Sequence, residues 1–175
     1  GRVLASPQTM SVQEYSPRSS LKVPAHPLTR AKFPFIDIHS HHNDMSNGRL
    51  SRMVSEFDQL NLAVSVNLSG GQGARLKSLV DNVKSTAPNR FVIFANLNFT
   101  CTDEIKTGCV DLPGWSQRAV AQLEEDNRNG AAGLKISKEL GLTHKNPDGS
   151  YIQSDDPRMD AIWQMCAKHN KPVMI

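Results

Sequence analysis

No run in this chain approaches the ~18 consecutive apolar residues that a membrane-spanning helix needs. The start of the sequence also lacks the apolar stretch of a signal peptide. Either none existed or it has been removed, so the compartment stays open between cytoplasmic and exported. Cysteine is scarce: Cys101, Cys109 and Cys166 are the only three, and no CxxC pair is present. That excludes a cysteine-rich zinc module or a disulfide scaffold. Free thiols are the simpler reading, with a local Cys101–Cys109 loop disulfide as the alternative in an oxidising compartment. Strong charge is missing too. A net charge of +3 and scattered Lys and Arg give a solvated surface without a nucleic-acid footprint. Neither GxGxxG nor the P-loop Lys-Ser/Thr occurs.

What is present fits one soluble globular body. The 175 residues can bury a real core, and 38% are hydrophobic against 21% charged. Residues 1–32 stand apart. Pro7, Pro17, Pro24 and Pro27 punctuate a Ser-rich stretch with neither helical nor strand period, which reads as an extended N-terminal arm. Gly1 reads as an expression scar.

From Phe33 onward, short apolar runs alternate with amphipathic segments. Strands are predicted at 35–38, 63–66, 91–95, 133–137 and 172–175. Between them, helical spacing covers 50–60, 74–85, 115–127 and 157–169, the last opened by Asp155 or Asp156 as cap before Pro157. Strands alternating with helices argue for parallel βαβ units. The expected class is α/β, of the (β/α)8 TIM-barrel type. Such a barrel takes roughly 250 residues, so 33–175 would supply about the first four and a half units, the N-terminal half. A complete doubly wound domain is the alternative architecture.

The chemistry concentrates at Phe35-Ile36-Asp37-Ile38-His39-Ser40-His41. Strand residues two apart share a face. On a regular strand Asp37, His39 and His41 would face one way, and Ile36, Ile38 and Ser40 the other. Two imidazoles at alternate positions near a strand's carboxyl end can hold one divalent cation. Asp37 would lie one layer deeper, orienting a ring. His42 points away, and Asn43 and Asp44 would shape the following loop.

This D-x-H-x-H strand resembles the amidohydrolase superfamily of metal-dependent hydrolases. The likeness is greatest to the amidohydrolase-related branch that holds aminocarboxymuconate-semialdehyde decarboxylase. It extends over roughly residues 33–175, with the strands at Gly133-Leu134-Lys135 and Lys171-Pro172-Val173-Met174-Ile175 adding order and spacing. The resemblance implies a distorted (β/α)8 barrel in which His39 and His41 ligate a metal, often zinc. It further implies a His at the end of strand five, a His after strand six and an Asp at the end of strand eight. None of these falls within the 175 residues. The chain alone is therefore expected to be inactive, with His144 and His169 poor substitutes.

Lys135, at the fourth strand, has several readings: a lysine that binds a substrate carboxylate or makes a structural ion pair, a solvated lysine, or a carboxylated lysine that bridges two metals, as in some branches of the superfamily. Lys138 and Glu139 follow at the strand's exit. Gly70-Gly71-Gln72-Gly73 precedes a helix and reads as a flexible loop on the active face, with phosphate binding as the sharper option. Asn67 and Ser69 would share its rim. Asn96 and Asn98 would cap the third strand or touch a ligand. Asn146-Pro147-Asp148-Gly149, with Ser150 and Tyr151, reads as a hairpin. Trp115 and Trp163 read as core.

The expected function is thus hydrolysis of a small carbonyl or carboxylate compound through a metal-activated water. The partner is a small-molecule substrate, with no nucleic acid or membrane. Three alternatives stand beside it: a metal-dependent decarboxylase of the same superfamily, a non-catalytic small-molecule-binding module, and a half-barrel that pairs with another copy as a homo-oligomer.

Overall fold

A computed structural model describes residues 10–24, 26–102 and 104–175. Gly1 and Pro7 of the arm lie outside the described residues. The arm's described part is exposed and carries one turn near residues 12–14. Its end is fastened. Ala31 N–H donates to Leu60 O at 3.1 Å, and the Arg30 guanidinium reaches the Asp58 and Gln59 carbonyls and the Asn61 side chain.

Five strands form one parallel sheet in the order β1-β2-β3-β4-β5. They are β1 Phe35–Ser40, β2 Leu62–Asn67, β3 Phe91–Asn96, β4 Gly133–Lys135 and β5 Val173–Met174. The helices are α1 Asn47–Leu60, α2 Gly73–Thr86, α3 Trp115–Arg128 and α4 Asp160–Lys168, the last preceded by a 3-10 turn over Pro157–Met159. Asp156 provides the cap, accepting from Arg158 N–H at 3.0 Å. Each helix packs on the next along the chain, so all four cover one face of the sheet. The result is a curled half-barrel. Strand order never reverses, so the doubly wound alternative is excluded.

Two clusters flank the sheet. The larger lies between sheet and helices and includes Leu50, Leu76, Leu134 and Ile162, each fully buried. The smaller, Val66, Leu68 and Phe94 with Val92, Ala132 and Met174, fills the concave side. This division assigns the faces. Parallel partners point the same way, so Val66, Val92, Phe94, Asn96, Lys135 and Met174 are inner residues. Ser65, Asn67, Phe91 and Leu134 are outer ones.

That assignment corrects the reading of β1. Ile36 pairs with Val64 and is an inner residue, whereas Asp37 pairs with Ser65 and is an outer one. A bulge then inserts one extra residue between Asp37 and Ser40. Its cause is local. His39 N–H donates to Asp37 Oδ1 at 3.0 Å instead of to the ladder, an Asx-type bond across two residues. Alternation resumes beyond the bulge with Ser40 outside and His41 inside. A strict period of two misses this step.

Ile36 and Ile38 are 57% and 62% exposed, because the curl of five strands leaves the concave mouth beside β1 open. Among the described residues no helix is long and apolar enough to cross a membrane. Cys101 and Cys109 form a disulfide within the β3–α3 loop, which overturns the free-thiol reading for that pair. Cys166 is free and buried.

Candidate metal-binding site at the carboxyl ends of the strands

The carboxyl ends of β1 to β4 enclose a pocket of about 690 Å³. His39 and His41 line it, with Asn43, Ser69, Gly71, Arg75, Asn96 and Lys135. Ser137, Lys138 and Glu139 complete the β4 side. The two imidazoles lie side by side, ring centres 5.2 Å apart and tilted by 58°. Ser69 Oγ is 2.7 Å from His41 Nδ1. When that nitrogen holds the proton, Nε2 carries the lone pair that a cation needs, and Ser69 fixes the ring's rotation. The donor set therefore fits a borderline divalent metal. Among the described residues, no third His, Cys or carboxylate completes a three-ligand set with this pair.

Asp37 does not orient either ring. Its recorded bond is to the His39 main chain, and it faces the helix side. There it acts on His42, whose ring packs against Phe57 and Phe91 and approaches Ser65 Oγ at 3.2 Å. Burial lowers the His42 pKa, while the Asp37 charge pulls it the other way. His42 is a core imidazole rather than a ligand.

Asn67 was expected on the rim but is fully buried. Its amide bonds His42 N–H, the His42 carbonyl and Ser69 N–H, which fixes the turn that presents His41. Asn96 is likewise structural. Oδ1 accepts from Gly71 N–H at 2.8 Å, and Nδ2 donates to the Leu68 carbonyl. Asn98 bonds only within its own loop. His144 stacks on Phe99 at 4.9 Å and takes no part in the pocket. His169 follows α4 as its cap, its Nε2 buried without a hydrogen-bond partner among the described residues. The Asn146–Tyr151 hairpin forms, closed by a Lys145–Tyr151 bridge. Trp115 is buried, and Trp163 Nε1 donates to the Ser154 carbonyl.

The glycine-rich turn is neither a flexible loop nor a phosphate cradle. Asn96 and the close approach of Gly70 to β3 pin it. The α2 amino terminus, where an anion would dock, is already occupied: Gly73 N–H donates to Asp126 Oδ1 at 2.6 Å. Asp126 is fully buried, and its Oδ2 has no hydrogen-bond partner among the described residues. Burial raises its pKa above the ordinary carboxylate value, against the lowering effect of Gly73 and Gln122.

A raised carboxyl pKa in the folded state favours folding at pH below the ordinary carboxylate range. That contribution disappears as pH climbs through the elevated value. Asp126→Asn keeps the oxygen that caps Gly73 and removes the buried charge. It is expected to match or exceed the parent's melting temperature at pH 7, with the gap closing toward pH 4. Asp126→Ala should lose about 1–3 kcal/mol at either pH through the unmet Gly73 N–H. Thermal unfolding of both variants across that range checks this; an Asn variant as unstable as the Ala one at pH 7 would contradict it.

The sequence reading missed Arg75. It sits in the first turn of α2, where a cation opposes the helix dipole. That misfit was the available signal. Cys101, Cys109 and Asp111 also cluster within ligand reach of one another, but the two sulfurs are bonded together and offer no thiolate. No protein-family model matches the sequence, and a search of curated proteins finds no match either.

Proposed function

We infer that the chain carries the first-strand metal ligands of a metal-dependent hydrolase of the amidohydrolase type, on the N-terminal half of a TIM-type (β/α)8 barrel. One observation carries the reading: His39 and His41 stand side by side on the wall of the pocket at the carboxyl end of β1. In barrels of this kind that face holds the chemistry. The proposed cofactor is zinc. His39 and His41 would hold it, and bound there it would supply an activated water at neutral pH. Ser69 keeps the His41 ring turned toward the pocket, and the Asp37-driven bulge sets His39 beside it. A catalytic zinc takes three protein ligands plus water. The described residues supply two, so a third ligand must come from other residues.

The reading is tested by turnover of an ester, lactone and amide panel with the whole protein that contains this chain, before and after chelation. Hydrolysis that stops on chelation and returns with zinc supports it. Metal-dependent release of carbon dioxide without hydrolysis would move the assignment to a decarboxylase of the same type. Turnover indifferent to metal would refute both.

A further inference from the structure

We propose that the pocket is a carboxylate-binding site in which Lys135 and Arg75 hold one anionic group of the substrate. This deepens the hydrolase reading by naming a substrate class, and it rests on that reading for the fate of the bound molecule but not for the binding itself.

The argument begins with Lys135. It is an inner residue of β4, paired with Asn96 on one side and Met174 on the other. The residue as a whole is only 9% exposed, and it lines the pocket. Lysines buried to that degree are almost always paired. Yet no hydrogen bond or ion pair to its ammonium is recorded among the described residues, whereas the other buried charged group, Asp126, has Gly73 and Gln122. The Lys135 stem is buried, but the ammonium is not among the buried unpaired polar atoms, so it opens into the pocket, where an anionic ligand can reach it.

Arg75 supplies the second donor. Its side chain lies over Gly71, where any β-carbon would come within 2.8 Å of Cδ, so the glycine makes room for it. Gly71 also has φ +71°, a conformation that other residues resist. Among the described residues, no ion pair or hydrogen bond engages the guanidinium either. The nearby Lys138 is different: its charge acts on Glu139, which also lines the pocket. Three cations thus face one carboxylate around this pocket, and the cation left deepest is Lys135. A planar carboxylate suits a guanidinium, which can engage both oxygens, and an ammonium, which acts as a point charge.

The opposite wall carries His39 and His41. A carboxylate held at Lys135 would direct the rest of a small molecule toward them, across a pocket large enough for one. The alternative role for Lys135, a carboxylated bridge between two metals, needs a neutral amine and further ligands. Among the described residues, no carboxylate or third imidazole groups with the pair closely enough to share such a centre.

The test uses benzoate and its uncharged isostere benzamide as probes. Binding to the full chain is followed by NMR line broadening, in chelator and at low salt. Benzoate should bind and benzamide should not. Lys135→Met should weaken benzoate by about 10- to 100-fold, the worth of a charge-assisted hydrogen bond. Lys135→Arg should restore most of it. Arg75→Gln, a more exposed change, should weaken benzoate severalfold and keeps the test valid if Lys135→Met fails to fold. Repeating the measurement with zinc in place of chelator, on the parent and on a His39→Ala, His41→Ala double variant, separates this binding from any carried by the metal. Equal binding of both probes, or unchanged benzoate affinity in Lys135→Met and Arg75→Gln, would overturn the proposal. Benzoate binding that appears only with zinc and vanishes in the double histidine variant would overturn it while leaving the metal reading intact.

Discussion

His39→Ala or His41→Ala is expected to lower zinc affinity by more than the ~10–100-fold that follows loss of a hydrogen-bonding partner behind a ligand. Each change deletes a donor outright. With only two imidazoles in the set, either deletion leaves a single one, and one imidazole does not hold zinc against solvent. Ser69→Ala removes the bond to His41 Nδ1 but neither ligand, so it should fall within that 10–100-fold range. His42→Gln touches the core side of β1 and should alter stability rather than affinity. Equilibrium dialysis against zinc measures all four. Equal affinity in His42→Gln and a sharp loss in the other three is the expected pattern. A loss confined to His42→Gln would place the metal elsewhere.

Gly70→Ala should be the most damaging single methyl in the region. A β-carbon there would lie 2.2 Å from the Phe94 carbonyl oxygen and 2.7 Å from Ile93 Cγ2. The nearest contact is sheet backbone, which cannot swing aside, so the turn itself must move. Displacing it breaks the Asn96–Gly71 bonds and carries Arg75 away from the pocket. Overpacking of this kind destabilises by roughly 2–3 kcal/mol, a fall of about 4–12 °C in melting temperature for a chain of this size. Gly48→Ala is the matched control. It lies inside α1 with nothing within 4 Å, and should raise stability by about 0.5–1 kcal/mol. Thermal unfolding of the pair gives the comparison. A Gly70 variant as stable as the Gly48 one would mean that the turn is looser than its contacts imply.

The alternation of strands and helices was legible because the apolar periods were long. Leu76, Leu79, Val80 and Val83 mark one face of α2, and all four are buried. Strand order followed from the same regularity. What escaped the pattern were effects of single side chains. The bulge in β1 arises when Asp37 captures the His39 N–H, so a residue expected to orient a ligand ring from one layer deeper faces the helix side instead. Asn67 reads as a rim residue because polar strand ends are usually exposed, and Asn96 as either a strand cap or a ligand contact. They are spent on backbone groups of adjoining loops, and only the folded arrangement brings those groups near. The role of Asp126 depends on contacts between helices that no local period encodes. The Cys101–Cys109 bond is local and stands among the sequence readings as the alternative to free thiols. Arg75 carried a legible sign too, a cation where the helix dipole disfavours one.

Those misreadings leave the central feature where the sequence put it. His39 and His41 do share the inner wall, although a bulge rather than simple alternation brings them together there. The most direct measurement is an anomalous-difference map at the zinc edge from crystals of the protein soaked in zinc. A peak about 2.0–2.1 Å from one ring nitrogen of His39 and one of His41 is the expected result. A peak elsewhere, or none between the two rings at saturating zinc, would contradict the account.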